Sequence, residues 1–248
     1  MPVEEVAEWP YPRQFEIDLP MQHCNYGGDN PNPDHPACFM CERNLAFRVQ
    51  EDKVKEICEK LYDYVRYAQA IHIQGVAEPF WKGKIFEVAE WLGWERFAKR
   101  LRISTTTNGS LMGKKTRERW LSSFPKSVIT WSLDASTPEV YQKVRNYNFY
   151  KMIRENIIAY GKERTPDQML QIHNNINLIN IGDVEGMVEL AKEAGVDRLD
   201  FNATYSVPGV CVNAENAHLF REAQQKICIK AAELGVNVTF MRNLYLWY

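Results

Sequence analysis

The chain has 248 residues, with 30 Lys+Arg against 32 Asp+Glu and a formal net charge of −2. An apolar fraction of 45% and an aromatic fraction of 12% exclude a disordered chain. The near-neutral balance gives no expectation of nucleic-acid binding, and without a run of about 18 apolar residues no membrane span is expected.

The opening Met1-Pro-Val-Glu-Glu-Val-Ala-Glu is acidic and has no apolar core, so no secretory signal is expected. A cytoplasmic, reducing compartment is then expected, in which six cysteines point to metal or catalytic use before disulfides.

Residues 1–14, with Trp9-Pro10-Tyr11-Pro12, read as an N-terminal strap. Residues 15–19 read as a strand, and 25–37 as a loop insertion rich in Pro, Gly, Asn and Asp, which break both periodic structures. It reads as a solvated surface loop or as a cover over the site. Helical spacing of Val54, Ile57, Leu61, Tyr64, Val65 and Ala68 predicts a helix over 51–68. A strand at 70–74, a helix at 82–99, a strand at 101–107, a helix at 114–123 and a strand at 127–134 follow. Thr137-Pro138-Glu139 reads as a helix start, with Thr at the N-cap and Pro in the first turn. That helix breaks near Asn146 and resumes to about Arg164. Strands at 170–178, 198–204 and 236–240 alternate with helices at 183–194 and 215–234. The aromatic tail at 241–248 is expected to cover an open sheet edge or to meet a partner.

Alternation of this kind predicts an α/β fold with a parallel sheet: a partial (β/α)6 TIM-like barrel in a single domain over 1–248. Parallel strands are normally apolar on both faces. Here a period of two places Thr130, Ser132 and Asp134 on one face, and likewise Gln171, His173, Asn175 and Asn177, then Asp200, Asn202 and Thr204, with His72 and Gln74. The interior is expected to hold a polar ligand. The plainer alternative is that these groups hydrogen-bond one another.

Cys24, Cys38 and Cys41 follow the first strand with spacing Cys-x13-Cys-x2-Cys. The C-terminal ends of barrel strands are where sites are built. Three thiolates there suit an iron–sulfur cluster with one open iron, or a zinc site completed by His23 or His35. Cys58 and Cys228 sit beside Ile57 and Ile227 in amphipathic segments and are expected to be core fillers. Cys211 lies in the loop after the sixth strand.

The order of motifs resembles the radical S-adenosylmethionine (radical SAM) superfamily. Cys24-Asn25 and Cys38-Phe39-Met40-Cys41 are similar to the two halves of its cysteine motif, with a longer stretch between them. Gly75-Val76-Ala77-Glu78-Pro79 is similar to its Gly-Gly-Glu-Pro motif. Thr107-Asn108-Gly109 matches a common third-strand ending, and Ser132-Leu133-Asp134 with Lys143-Val144-Arg145-Asn146 resembles its fourth unit. The resemblance covers about residues 15–240.

The resemblance implies a [4Fe-4S] cluster on Cys24, Cys38 and Cys41, with SAM on the fourth iron. It implies reductive cleavage of SAM to a 5′-deoxyadenosyl radical that takes a hydrogen atom from a small-molecule or peptide substrate. The outcome is then epimerisation, dehydrogenation, decarboxylation or rearrangement, with a flavodoxin or ferredoxin as electron donor. Glu78 is expected to bind the SAM amino group, or else only to sit at a helix start. Ser132, Asp134, His173 and Asn175 are candidates for the ribose, methionyl or carboxylate groups, and Asn202 and Met40 for the adenine. Arg145 is expected on a carboxylate or a neighbouring acid, and Asn108 on the ligand or only in the turn with Gly109. Cys211 is a candidate hydrogen-atom donor. Two alternatives remain: a zinc-binding barrel module without radical chemistry, and an activase of a partner enzyme.

Overall fold

The computed structural model describes residues 12–19, 24, 38, 51–75, 78–204 and 207–241. Met40, Cys41, the 25–37 insertion, residues 1–11 of the strap and residues 242–248 of the tail lie outside them.

Seven strands form one sheet: β1 (Gln14–Asp18), β2 (Ala70–Gln74), β3 (Arg102–Thr107), β4 (Ser127–Ser132), β5 (Gln168–Ile176), β6 (Arg198–Ala203) and β7 (Val238–Phe240). Each pairs in parallel with the next in chain order. Helices α1 (Glu51–Leu61), α2 (Lys84–Trp91), α3 (Lys114–Ser123), α4 (Pro138–Arg145), α5 (Tyr150–Glu163), α6 (Val184–Glu193) and α7 (Ala217–Leu234) form the crossovers. Among the described residues β1 and β7 do not pair. Six strand–helix units and a closing strand therefore make an open, partial barrel.

Alternation along each strand explains the layering. Ile71, Ile73, Ile103, Ile129, Trp131, Leu170, Ile172, Leu199 and Phe201 have no exposed surface and belong to the main apolar core. These residues take one face of the strands. The helices add Val54, Cys58, Val88, Trp120, Ile153, Ile157, Met187 and Ile227 to that core. The intervening residues, His72, Ser104, Thr130, Ser132, His173, Asn175 and Asn202, are half-buried and point to the other face.

Two predicted helices are shorter than their periodicity suggests. The first ends at Leu61 and is followed by a 3-10 turn at Val65–Tyr67. The second is interrupted where Gly93 takes a left-handed φ of 65°, a conformation that ends a helix and that glycine adopts without steric cost. The fourth crossover is as predicted. Thr137 Oγ1 accepts from the Val140 N–H at 3.4 Å, Pro138 opens α4, and Asn146 ends it with φ 58°.

Gly109 is required twice over. Its φ of +78° is left-handed, and a Cβ would lie 2.3 Å from the Trp131 ring. Gly109→Ala is therefore expected to destabilise the chain by about 2 kcal/mol or more. A lower midpoint in urea denaturation, with an unchanged slope, checks this.

Candidate cofactor site at the C-terminal mouth

Glu78 follows β2 and is buried. Its Oε1 accepts from the Thr107 hydroxyl at 2.6 Å and from the Phe80 N–H at 3.4 Å, and its Oε2 from the Asn108 N–H at 2.8 Å. Thr107 Oγ1 also accepts from the Gly109 N–H at 3.0 Å. One carboxylate thus ties the end of β2 to the end of β3. Burial raises its pKa to about 7 despite the three donors. A buried carboxylate with so high a pKa gains most from a cation. Asn108 extends the group: its Oδ1 accepts from Ser110, and its Nδ2 donates to Cys24 Sγ at 3.6 Å.

A second buried group stands on β4 and α4. Arg145 Nη2 donates to Ser132 O at 3.1 Å and Ser132 Oγ at 2.8 Å, and pairs with the Asp134 carboxylate. Its Nη1 donates to Cys38 Sγ at 3.8 Å. Burial opposes the Arg145 charge, but Asp134 and the Cys38 sulfur outweigh it and hold the guanidinium well above its ordinary pKa. Asp134 Oδ1 accepts from the Asn175 N–H at 2.8 Å. With 0% side-chain exposure, Asp134 presents no surface to a ligand. The predicted ribose or methionyl contact gives way to a framing role, because both oxygens are engaged inside the protein.

Cys24 and Cys38 are thus each met by an N–H donor, from β3's end on one side and from α4 on the other. The two half-buried thiols with donors on them fit a metal–sulfur group. Among the described residues no three ligating side chains converge, and Cys41 lies outside those residues.

No family model and no curated protein matches the chain. Solved structures do. Streptococcus suis SuiB bound to S-adenosylmethionine matches with TM-score 0.65 and 14% identity, over 96% of this chain and 53% of SuiB. Native anSMEcpe with bound AdoMet matches with TM-score 0.67 and 15% identity, over 92% of this chain and 64% of its own. A radical SAM methyltransferase from Sphaerobacter thermophilus matches with TM-score 0.53 and 15% identity, over 81% and 58%. The chain shares its fold with these structures. The chain spans about half the length of SuiB.

The lumen of this fold is polar in two layers. In the lower layer the plainer alternative holds, and the groups satisfy one another. His72 Nδ1 meets Ser104 Oγ at 2.8 Å, His72 Nε2 meets Gln74 Oε1 at 2.7 Å, and Gln74 Nε2 donates to Glu16. Across the sheet, Gln171 Oε1 accepts from Thr130 at 3.3 Å and Arg198 at 3.1 Å, while Asp200 takes Arg198 at 2.9 Å and the Thr239 hydroxyl. In the upper layer His173 lies in register with Ser132 and with Asp200, and Asn175 with Asn202. These half-buried side chains face the mouth. Asn177 does not join them. It is buried past the end of β5, where its Oδ1 accepts from the Ile179 N–H at 2.9 Å and caps a turn.

Thr107, of the Thr107-Asn108-Gly109 stretch, holds Glu78. Other framing residues carry no motif of their own. Asn180 Nδ2 donates to Asp134 O at 2.8 Å and Asn175 O at 2.9 Å. Ser136 Oγ donates to Asp183 at 2.7 Å and so joins the loop after β4 to the start of α6. Glu16 and Ser104 were available from the same period of two that marks His72.

Cys58 is fully buried, and its burial raises the thiol pKa to about 11, as suits a core filler. Cys228 is a correction: it is exposed. The buried stripe of α7 is Ala217, Phe220, Ala223, Ile227 and Ala231, and one residue beyond Ile227 turns about 100° out of it. Cys211 is half-buried in the loop after β6. That loop is fixed by Val212 N to Thr204 O at 2.7 Å and by Leu178 N to Val210 O at 2.9 Å.

The Glu78 environment has a pH consequence. A carboxyl whose pKa rises from 4.5 to about 7 on folding contributes stability below the lower value and loses it through the higher one. The stability of the ligand-free chain relative to Glu78→Gln is expected to fall as pH rises from about 4.5 to about 8. Thermal melts of both proteins across that range check this; parallel curves would show that Glu78 is not desolvated.

Proposed function

We propose that this chain is a radical SAM enzyme that binds a [4Fe-4S] cluster through Cys24, Cys38 and Cys41. The observation that carries the reading is the pairing of two thiols with internal N–H donors beside a buried carboxylate, at the mouth of a fold shared with SAM-bound structures. When bound, the cluster and SAM supply a 5′-deoxyadenosyl radical that abstracts a hydrogen atom from the substrate.

The chain's own residues would bind and orient. Glu78 would accept the SAM amino group, losing its raised pKa as the cation arrives. Ser132, His173, Asn175 and Asn202 would offer hydrogen bonds to ribose and carboxylate oxygens, with Met40 beside the adenine. Asn108 and Arg145 would hold the cysteine sulfurs, and Arg145 remains within reach of a carboxylate through Ser132. The open lumen would admit the substrate, and the apolar packing outside the sheet would exclude water from below. Cys211, on the loop after β6, would serve as a hydrogen-atom donor if the outcome is epimerisation.

Neighbouring structures support a peptide or a small hydrogen-bonding molecule as substrate: SuiB has been solved with precursor peptide SuiA, and anSMEcpe with the Cp18Cys peptide. The polar upper lumen agrees with either. A cytoplasmic, reducing setting and a flavodoxin or ferredoxin electron donor belong to the same reading. So does a single domain over the whole chain.

Anaerobic reconstitution tests it. The protein is expected to carry about four irons per chain and to form 5′-deoxyadenosine from SAM and dithionite. Cys24→Ala, Cys38→Ala and Cys41→Ala are each expected to abolish that cleavage, while Cys58→Ala keeps it at a cost of about 1 kcal/mol in stability. One zinc, no iron and no SAM affinity would overturn the proposal in favour of a zinc module. A glycyl radical appearing on a partner protein would instead identify an activase.

A further inference from the structure

We propose that Arg145 is a positioning residue that tunes the reduction potential of the cluster through Cys38, and that Asp134 sets how strongly it acts. The inference rests on the cluster reading given above.

A guanidinium is a planar fork with five N–H donors in fixed directions. Here one side of the fork is held by Ser132 O at 3.1 Å, Ser132 Oγ at 2.8 Å and the Asp134 carboxylate. Those anchors come from the end of β4, while Arg145 comes from the last turn of α4, so its place is set by two rigid elements. On the other side of the fork Nη1 meets Cys38 Sγ at 3.8 Å, while the buried Nε makes no hydrogen bond among the described residues. The guanidinium is 11% exposed and its counter-ion is not exposed at all, so water screens the charge weakly.

Cys24 receives a neutral amide donor, Asn108 Nδ2, at 3.6 Å. Cys38 receives a cation. Hydrogen bonds to the sulfurs and net local charge are the protein's levers on cluster potential. A fixed positive charge beside one ligating sulfur favours the more negative, reduced state and raises the potential. Asp134 opposes this by partly cancelling that charge. Among the described residues it is the only carboxylate in an ion pair with Arg145. The two residues should therefore move the potential in opposite directions. A role in stability alone predicts that both substitutions lower stability and leave the midpoint unmoved.

The test is an EPR-monitored potentiometric titration of the reconstituted full chain without substrate, with iron content measured alongside. Arg145→Gln is expected to shift the midpoint to more negative values. At a fixed potential the ratio of reduced to oxidised cluster should fall about tenfold, the effect of about 1.4 kcal/mol. Asp134→Asn is expected to shift it to less negative values. Arg145→Lys, which keeps the charge but not the fork, should fall between wild type and Arg145→Gln. If Arg145→Gln fails to fold or to take up iron, the Asp134→Asn and Arg145→Lys pair decides by the sign of their shifts. Full iron content with an unmoved midpoint, or shifts of the same sign in Arg145→Gln and Asp134→Asn, would overturn the inference and leave the cluster reading intact. A wild-type chain that takes up no iron would overturn the cluster reading itself.

Discussion

A parallel strand has two faces, and in this molecule only one of them is committed to apolar packing. Helices cover Ile71, Ile73, Ile103, Ile129, Ile172 and Phe201 completely. The hydrophobic term of folding is concentrated in that outer layer. The inner face is then free of the need to be apolar, and it carries His72, Gln74, Thr130, Gln171, His173, Asn175 and Asp200. Among the described residues β1 and β7 do not pair; His72, Gln74, Thr130, His173 and Asn175 stay half-buried, while Gln171 and Asp200 are buried and bonded to neighbours. The arrangement would be costly in a closed barrel of the usual packed kind.

The mouth reverses that economy, since its most buried members are ionisable. Glu78 sits between β2 and β3, and Asp134 with Arg145 between β4 and α4. A buried ion pair is weak evidence for stability, because removing two charges from water costs as much as their attraction returns. Both groups are better understood as geometric devices. Each links the ends of neighbouring elements, and each ends, through Asn108 or through Arg145 itself, on a cysteine sulfur. The buried polar atoms of the mouth are thus arranged around the two thiols, on opposite sides of them.

Much of this was legible before the coordinates. Seven strands and their order followed from alternation of apolar runs and amphipathic segments, and the period of two picked out the lumen face. Thr137-Pro138 and Asn146 marked the bounds of α4 because capping chemistry is local. What escaped was decided by distance in space. Periodicity places Cys228 beside Ile227, but only the packing of α7 shows which side of that residue is covered. Asp134 and Ser132 share a face with His173, yet Asp134 turns inward because Arg145, eleven residues later, closes on it. Asn177 follows the strand period on paper, but the strand ends at Ile176 and its side chain caps a turn instead. The register of β5 on β6 ends at Ile176 and Ala203, where the Thr204 N–H still donates to Ile176 O at 2.8 Å.

The separation of roles at the mouth also bears on the length between Cys24 and Cys38. Both cysteines lie between β1 and α1, yet the groups that meet their sulfurs belong elsewhere: Asn108 to the end of β3, Arg145 to α4. Each thiol therefore has at least one contact supplied by the barrel. Closing a longer connection adds entropy only slowly with length. A stretch of 13 residues between two such fixed ends therefore costs the site little more than a short one would. The constraint that does bind is the placement of Asn108 and Arg145. That placement follows from Glu78 gripping the Asn108 N–H and from Asp134 gripping the guanidinium. Two buried carboxylates thereby help to place two cysteine sulfurs.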